Sequence, residues 1–314
     1  MTLPPRDLTP EPGERGRVST DLQGTLAATV GAWDDLLAAV ADVDPAAPSR
    51  KAGRSVARTL VVLGSWPEGR ALPDIRRDAL DGVTTAEPLD DIEARVIAAH
   101  SAGTREELLE SLRRARDDAA TWATSPDVSR EALLPVAGPL GVVPLGTLVA
   151  ATAYQCAVAA RDLAPAGVQA APALLGRGLA ALIDTVGAVA SQQQATLSLT
   201  ALTPQVSIGT GARGGDWRTI PVTSPEGPTL TCDAGVLLDI AAGRASAPAA
   251  YARGEIRAKD LQGLLAVAQV LARSPGLPGT DGLRAGLQAY EASAAATRAV
   301  GDALGSAWRK LRGS

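Results

Sequence analysis

The chain has 314 residues, 46% of them hydrophobic and 20% charged, so it is long enough for two domains with sizeable apolar cores. Its net charge of −4 comes from interleaved acidic and basic residues, which excludes the clustered basic face of a nucleic-acid-binding protein. Phenylalanine is absent and arginine far outnumbers lysine, a bias typical of a high-GC bacterium. There is no apolar signal segment at the N-terminus and no uncharged apolar run of about 18 residues. The sequence therefore predicts a cytoplasmic protein without a membrane span.

Helical periodicity dominates the first half of the chain. The polar, proline-rich residues 1–17 are expected to form a flexible tail, and Ser19 or Thr20 is the predicted N-cap of the first helix. Further helices are predicted over 55–66, 73–81, 89–100 and 104–123, the last with a capping box of Thr104 and Glu107. A long loop is expected over 125–144, with Pro144 at the start of the next helix. This pattern predicts an antiparallel four-helix bundle over 18–166.

The helix over 148–164 carries a polar side that would face a partner helix. Thr152, Gln155, Ala159 and Asp162 follow one another at steps of three, four and three residues, which places them along one side of a helix.

The pattern changes after residue 166. A helix beginning near Leu174 is followed by alternating strand-like segments, with a hairpin turn in GTGARGG and Asp233 as the N-cap of a further helix. A few antiparallel strands covered by helices predict an α+β domain over 167–280.

Residues 281–314 show apolar positions at heptad spacing. Two interpretations stay open: a helix packed on the body of the protein, or a coiled-coil segment through which two copies form a homodimer.

Two segments of the first half resemble a known family. GPLGVVPLGTLVAATAYQCAVAARDLA and GRSVARTLVVLGSW resemble parts of the maleylpyruvate isomerase-like, mycothiol-dependent proteins of the DinB-like superfamily. That resemblance implies a bundle in which a Glu and two His hold a divalent metal that activates a thiol cofactor.

Carried over position by position, the metal ligands are missing. The first His falls at Val62 (or Val61 if the register slips by one), the Glu at Gln155 and the second His at Ala159. Only Asp162, which lies outside the metal's coordination in the family, is kept. His100 is predicted to be a surface or helix-end residue, and both Cys156 and Cys232 are predicted to be buried. We therefore expect no metal, while mycothiol remains a candidate cofactor.

The second half resembles a sterol-carrier-like (SCP2-like) domain through LTCDAGVLLDIAAGR and YARGEIRAKDLQGLLAVAQVL. Gly243, Arg244 and Gly254 stand at recognisable positions, whereas Lys259 replaces a frequent glycine. Such domains enclose an apolar tunnel, and they accompany the mycothiol-dependent bundles.

Together the resemblances imply a metal-free protein that binds a hydrophobic or amphipathic small molecule in the interdomain cleft or in the tunnel. The implied ligand-binding residues are Gln155, Tyr154, Ala159, Val62, Trp66 and Arg244. Two alternatives remain: a metal-independent isomerase, cyclase or transferase with Asp162 as acid or base, and a structural protein that acts through its C-terminal helix.

Overall fold

The structure is a computed structural model that describes residues 4–139 and 141–272. The predicted helix over 281–314, and the homodimer through it, lie outside the described residues. The described part combines helices with a sheet, which confirms a mixed α and β fold. Its helices are α1 Arg17–Thr20, α2 Leu22–Val40, α3 Val56–Leu60, α4 Leu72–Leu80, α5 Leu89–His100, α6 Arg105–Ala123, α7 Val128–Glu131, α8 Leu145–Ala150, α9 Thr152–Asp162, α10 Pro172–Gln192, α11 Ala234–Ala241, α12 Ala247–Ala252 and α13 Leu261–Ala272.

Helix caps explain where the predicted helices begin. Thr104 and Glu107 form the predicted capping box of α6, and Ser55 caps α3. The predicted cap of the first long helix was wrong: the Asp21 carboxylate accepts from Gly24 N at 3.0 Å, so α2 begins after Asp21. Asp21 follows the short helix α1, and its two-oxygen side chain satisfies a backbone donor at the break between the two helices.

The segment 125–144 is not the predicted loop. It contains α7 and an antiparallel hairpin of β1 (Pro135–Gly138) and β2 (Gly141–Pro144). The two prolines lie opposite each other at the open end of the hairpin. Proline at the outer end of a strand removes few ladder hydrogen bonds, so it is compatible with a short strand here.

The remaining strands form one five-stranded sheet. They are β3 Leu197–Leu202, β4 Ser207–Arg213, β5 Asp216–Pro221, β6 Thr229–Thr231 and β7 Arg257–Lys259, in the order β5-β4-β3-β6-β7. The predicted hairpin turn is confirmed, because Gly214 and Gly215 join β4 to β5 with φ of +61° and +92°. The prediction of an all-antiparallel sheet was wrong, because β6 pairs with β3 in parallel. After β5, at one edge of the three strands β5-β4-β3, the chain crosses to the opposite edge and adds β6 beside β3.

Helix α10 lies at the centre of the molecule. It packs against α2 and α9 on the helical side and against β4 and β5 on the sheet side. Gly178 allows the close approach of α9, since a Cβ at this position would lie 2.4 Å from the Cβ of Ala157. One apolar core consequently extends from Leu36 of α2 through Leu179 of α10 to Ile208 of β4.

The same helix is long and apolar enough to span a membrane, but 83% of its most apolar window is buried inside the protein. That burial is typical of the core helix of a soluble protein.

Residues 4–17 of the predicted flexible tail pack against the sheet. The Leu8 side chain is 3% exposed and lies against Gly211 of β4, where a Cβ would come within 2.1 Å of the Leu8 carbonyl oxygen. Gly16 N donates to the carbonyl of Trp217 at 2.7 Å. The buried Leu8, the backbone hydrogen bond of Gly16 and the Arg15–Asp216 ion pair attach this segment to the sheet.

Candidate functional site

The predicted polar side of α9 has three different environments. Gln155 is exposed to solvent, Ala159 is buried in the main core, and Asp162 is 4% exposed. The Thr152 hydroxyl donates to the carbonyl of Val149 at 2.7 Å and is thereby occupied within its own helix.

The three positions that the family resemblance assigns to metal ligands do not offer metal-binding groups. Val62 packs against a small cluster around Val61 and Trp66, away from the core that contains Ala159. A methyl group and an isopropyl group have no donor atom, and an amide is a poor ligand for zinc. Within residues 4–139 and 141–272, no three His, Cys, Asp or Glu side chains come together as a metal site. The residues present do not fit the divalent metal that the resemblance implies.

Trp66 belongs to this small cluster, which also contains Ala57 of α3, Val96 of α5 and Leu108 of α6. Its Nε1 donates to the carbonyl of Val61 at 2.7 Å, and its ring stacks on His100 with centroids 3.9 Å apart. His100 also lies 2.6 Å from a carboxylate oxygen of Glu68. The polar atom of Trp66 is therefore used inside the fold.

The structure does bring together two of the predicted site residues, Asp162 and Arg244. Arg244 donates from Nε and Nη2 to the two carboxylate oxygens of Asp162 at 2.8 and 2.6 Å. This bidentate pair joins the end of α9 to the segment after α11. Both oxygens of Asp162 are occupied, so the carboxylate holds the Arg244 side chain in place.

A second carboxylate, which sequence reasoning missed, reinforces the same contact. Asp239 of α11 accepts from Arg161 of α9 at 2.8 and 2.6 Å and from Arg50 at 3.0 and 3.1 Å. Burial raises the pKa of Asp239, but the hydrogen bonds and charges of Arg161 and Arg50 outweigh burial and leave the pKa below its usual value. The sequence does contain an indication of this contact: in LLDIAAGR, Asp239 is an acidic residue within an otherwise apolar helix.

We call this contact the charged junction: Arg50, Lys51, Tyr154, Arg161, Asp162, Asp239 and Arg244.

Two polar groups at the charged junction have no partner within residues 4–139 and 141–272. The Lys51 ammonium makes no ion pair or hydrogen bond with the described residues, and neither does the Tyr154 hydroxyl. Burial lowers the pKa of Lys51, and the positive charges of Arg54 and Arg244 lower it further. The negative charges of Glu93 and Asp162 offset only part of this shift. Burial raises the pKa of Tyr154, so its hydroxyl stays protonated. Lys51 was also missed in the sequence, although it is one of few lysines in an arginine-rich chain.

Cys156 is buried, as predicted, whereas Cys232 is only partly buried. Cys156 is 0% exposed, and burial raises the pKa of its thiol. Cys232 is partly buried, and burial with the charge of Asp233 raises its pKa to about 11. Neither thiol is activated as a nucleophile.

No family model matches the sequence, and no curated protein matches it. Among solved structures, the mycothiol-dependent maleylpyruvate isomerase matches with a TM-score of 0.48 and 15% identity, over 82% of this chain and 96% of that chain. A histidine-to-alanine mutant of that isomerase matches with a TM-score of 0.45 at the same identity and coverage. A sec-alkyl sulfatase variant matches with a TM-score of 0.28 and 12% identity, over 72% of this chain and 32% of that chain. These values assign neither an activity nor a ligand to this chain.

Proposed function

We propose that this chain is a metal-free, maleylpyruvate isomerase-like protein that binds a small amphipathic organic acid at the charged junction. The observation that supports the proposal is that the Lys51 ammonium and the Tyr154 hydroxyl, both near the Asp162–Arg244 ion pair, have no hydrogen-bond or ion-pair partner in the described part of the chain.

The charge balance around Lys51 favours an anion. Arg54 is paired with Glu93 at 2.7 Å, and Arg244 is paired with Asp162 at 2.6 Å. Within each pair the two charges balance. The partly buried Lys51 ammonium therefore adds a positive charge that neither pair balances. A partly desolvated ammonium strengthens any charge-assisted hydrogen bond that a bound carboxylate makes with it.

In this proposal the Tyr154 hydroxyl is a second hydrogen-bond donor to the ligand's carboxylate. The Tyr154 ring offers an apolar surface beside it. Val158 lies one helical turn further along α9 and is also partly buried, so the two side chains share a helix face. Gln155 is the exposed amide next to Tyr154 on α9. A ligand with a carboxylate and a short apolar chain matches this arrangement, and mycothiol is a second ligand to test.

The geometry favours binding over acid–base catalysis by Asp162. A general acid or base needs an oxygen free to exchange a proton with the substrate, and Arg244 occupies both oxygens. In this proposal Asp162 is a positioning residue for Arg244.

Calorimetric titration of the full chain with octanoate tests the proposal. Replacing Lys51 by Gln removes one charge-assisted hydrogen bond, worth about 1.5–3 kcal/mol, so we expect the Kd to rise roughly tenfold or more. Lys259→Gln is the matched control, because Lys259 is an exposed lysine at the edge of the sheet and its loss leaves the Kd unchanged.

Tyr154→Phe should weaken octanoate binding by a smaller factor, since it removes one neutral donor. Equal Kd values for the wild type, Lys51→Gln and Lys259→Gln would show that the charged junction is not the binding site. If calorimetry shows that mycothiol binds and octanoate does not, the proposed ligand class of small amphipathic organic acids is wrong.

A further inference from the structure

An open depression lies beside the β1–β2 hairpin, on a different part of the molecule from the charged junction. The hairpin, the end of α10 and the start of β5 border it. None of the residues of the charged junction is among those that line it. A partner for this surface is therefore independent of the proposed function.

Exposed apolar side chains are grouped at this depression. Leu133 and Val142 are 49% and 41% exposed, and Pro135 is exposed as well. Among the described residues, four large hydrophobic side chains are exposed, and two of the four border this one depression. The exposed amides of Gln192 and Gln194 also line it. An open surface with both apolar and polar groups matches the apolar side of an amphipathic helix and its polar flanks.

The described part of the chain ends close to the depression. Helix α13 ends at Ala272, and the carbonyl of Val270 in its last turn accepts from Gln193 Nε2 at 2.9 Å. Gln193 stands in the chain between the two glutamines that line the depression, so α13 leads the chain to the end of α10.

The residues that follow α13 can reach the depression. The sequence of residues 273–280 contains two prolines and two glycines, a composition that favours a turn. Fully extended, a segment of this length spans about 26 Å. Because the carbonyl of Val270 already lies beside the end of α10, this reach is sufficient.

The C-terminal segment, residues 281–314, lies outside the described residues, and its sequence has apolar positions at heptad spacing. Its first three heptad positions are large: Leu283, Leu287 and Tyr290. The next three are small or polar: Ala294, Thr297 and Gly301. A two-chain coiled coil needs large apolar residues along its whole length, whereas a helix on a surface of its own chain needs only a short apolar side.

We propose that the C-terminal segment forms an amphipathic helix whose first two turns dock on Leu133, Pro135 and Val142 of the same molecule. Attachment through residues 273–280 makes this contact intramolecular, with an effective concentration on the order of millimolar. Such a concentration allows a small contact surface to hold the segment.

Hydrogen exchange of the full chain, followed by mass spectrometry, tests the docking. In the wild type the amides of residues 283–290 should exchange more slowly than those of an unstructured chain. The double variant Leu133→Ser with Val142→Thr removes apolar surface from the depression, so these amides should exchange roughly tenfold faster or more. Leu80→Ser is the matched control and should leave their exchange unchanged, because Leu80 is 51% exposed and does not line the depression.

A reciprocal pair of variants tests the C-terminal segment itself. Leu287→Ser removes one apolar position and should speed exchange over residues 283–290, whereas Gln288→Ser, outside the heptad positions, should not. A Tm close to that of the wild type shows for each variant that the rest of the protein is folded.

Intramolecular docking is overturned if residues 283–290 of the wild type exchange as fast as an unstructured chain. It is also overturned if the double variant leaves their exchange unchanged. Protection that increases with protein concentration and persists in the double variant would show that the segment pairs with a second copy of the chain instead.

Discussion

Replacing Asp239 by Asn tests whether the charged junction holds the helical side of the molecule against the sheet side. In the wild type this carboxylate, whose side chain is 12% exposed, accepts from both Arg50 and Arg161. An amide of the same shape keeps one acceptor and places an NH₂ group against guanidinium donors. Two arginines then lose their counter-charge at a partly buried contact.

The size of the effect follows from burial. Removing one partner of a fully buried ion pair costs about 3–5 kcal/mol. The side chains of Arg50 and Arg161 are 31% and 25% exposed, so water recovers part of that loss. We expect the free energy of unfolding to fall by about 2–3 kcal/mol, measured by urea unfolding at neutral pH.

Glu110→Gln is the matched control for this measurement. Glu110 is also a carboxylate shared by two arginines, Arg113 and Arg114, but all three side chains are about half exposed. Its loss should change stability by no more than about 0.5 kcal/mol.

The pH dependence gives an independent measure. The pKa of Asp239 is lowered in the native state, so its stabilising effect is complete above the ordinary aspartate pKa of about 3.9 and is lost as the pH falls through the lowered native value. The difference between the wild type and Asp239→Asn should therefore shrink in acid. Equal stabilities of the two proteins at pH 7 would refute the reasoning.

Three further predictions concern other groups. Octanoate binding should weaken as the pH rises through the lowered pKa of Lys51, hence at a lower pH than for an ordinary lysine, and calorimetry at a series of pH values measures this. Asp184 of α10 is a buried carboxylate that accepts from Arg17 N and from Trp217 Nε1, each at 3.1 Å. Burial raises its pKa, so the native state binds a proton more readily than the unfolded state. Wild-type stability should fall as the pH rises from about 4 through the raised pKa, and urea unfolding of Asp184→Asn should lack that slope. Gly178→Ala forces a Cβ against Ala157 and should cost about 1–3 kcal/mol in the same assay; an unchanged stability would show that α9 and α10 are not in close contact.

Local signals in the sequence predicted most of the elements. The capping box at Thr104, the glycine pair before β5 and Asp233 as the cap of α11 each concern residues a few positions apart, and all three are confirmed. The predicted helix over 89–100 has the bounds of α5. Interactions of this range depend little on the rest of the fold.

Features that depend on distant residues were missed. The parallel pairing of β3 with β6 joins segments about 30 residues apart, and strand periodicity carries no information about direction. The hairpin over 135–144 was hidden because proline is read as a strand breaker, while its position at the strand ends decides the outcome.

The candidate site was predicted only in part, for the same reason. The pairing of Asp162 with Arg244 spans 82 positions, and both residues were named separately, from the family resemblance. Lys51 and Asp239 have no motif of their own; their importance depends on which charges the fold brings beside them.

The position of α10 determines how the polypeptide can be divided. This 21-residue segment supplies apolar surface to α2 and α9 and also to β4 and β5. An excised fragment ending at residue 166 would lack α10 and expose the apolar surface of α2 and α9 that α10 covers. The complementary fragment would expose the apolar side of α10 that packs on α2 and α9. Calorimetric melting of the intact polypeptide should accordingly give a single transition for both halves.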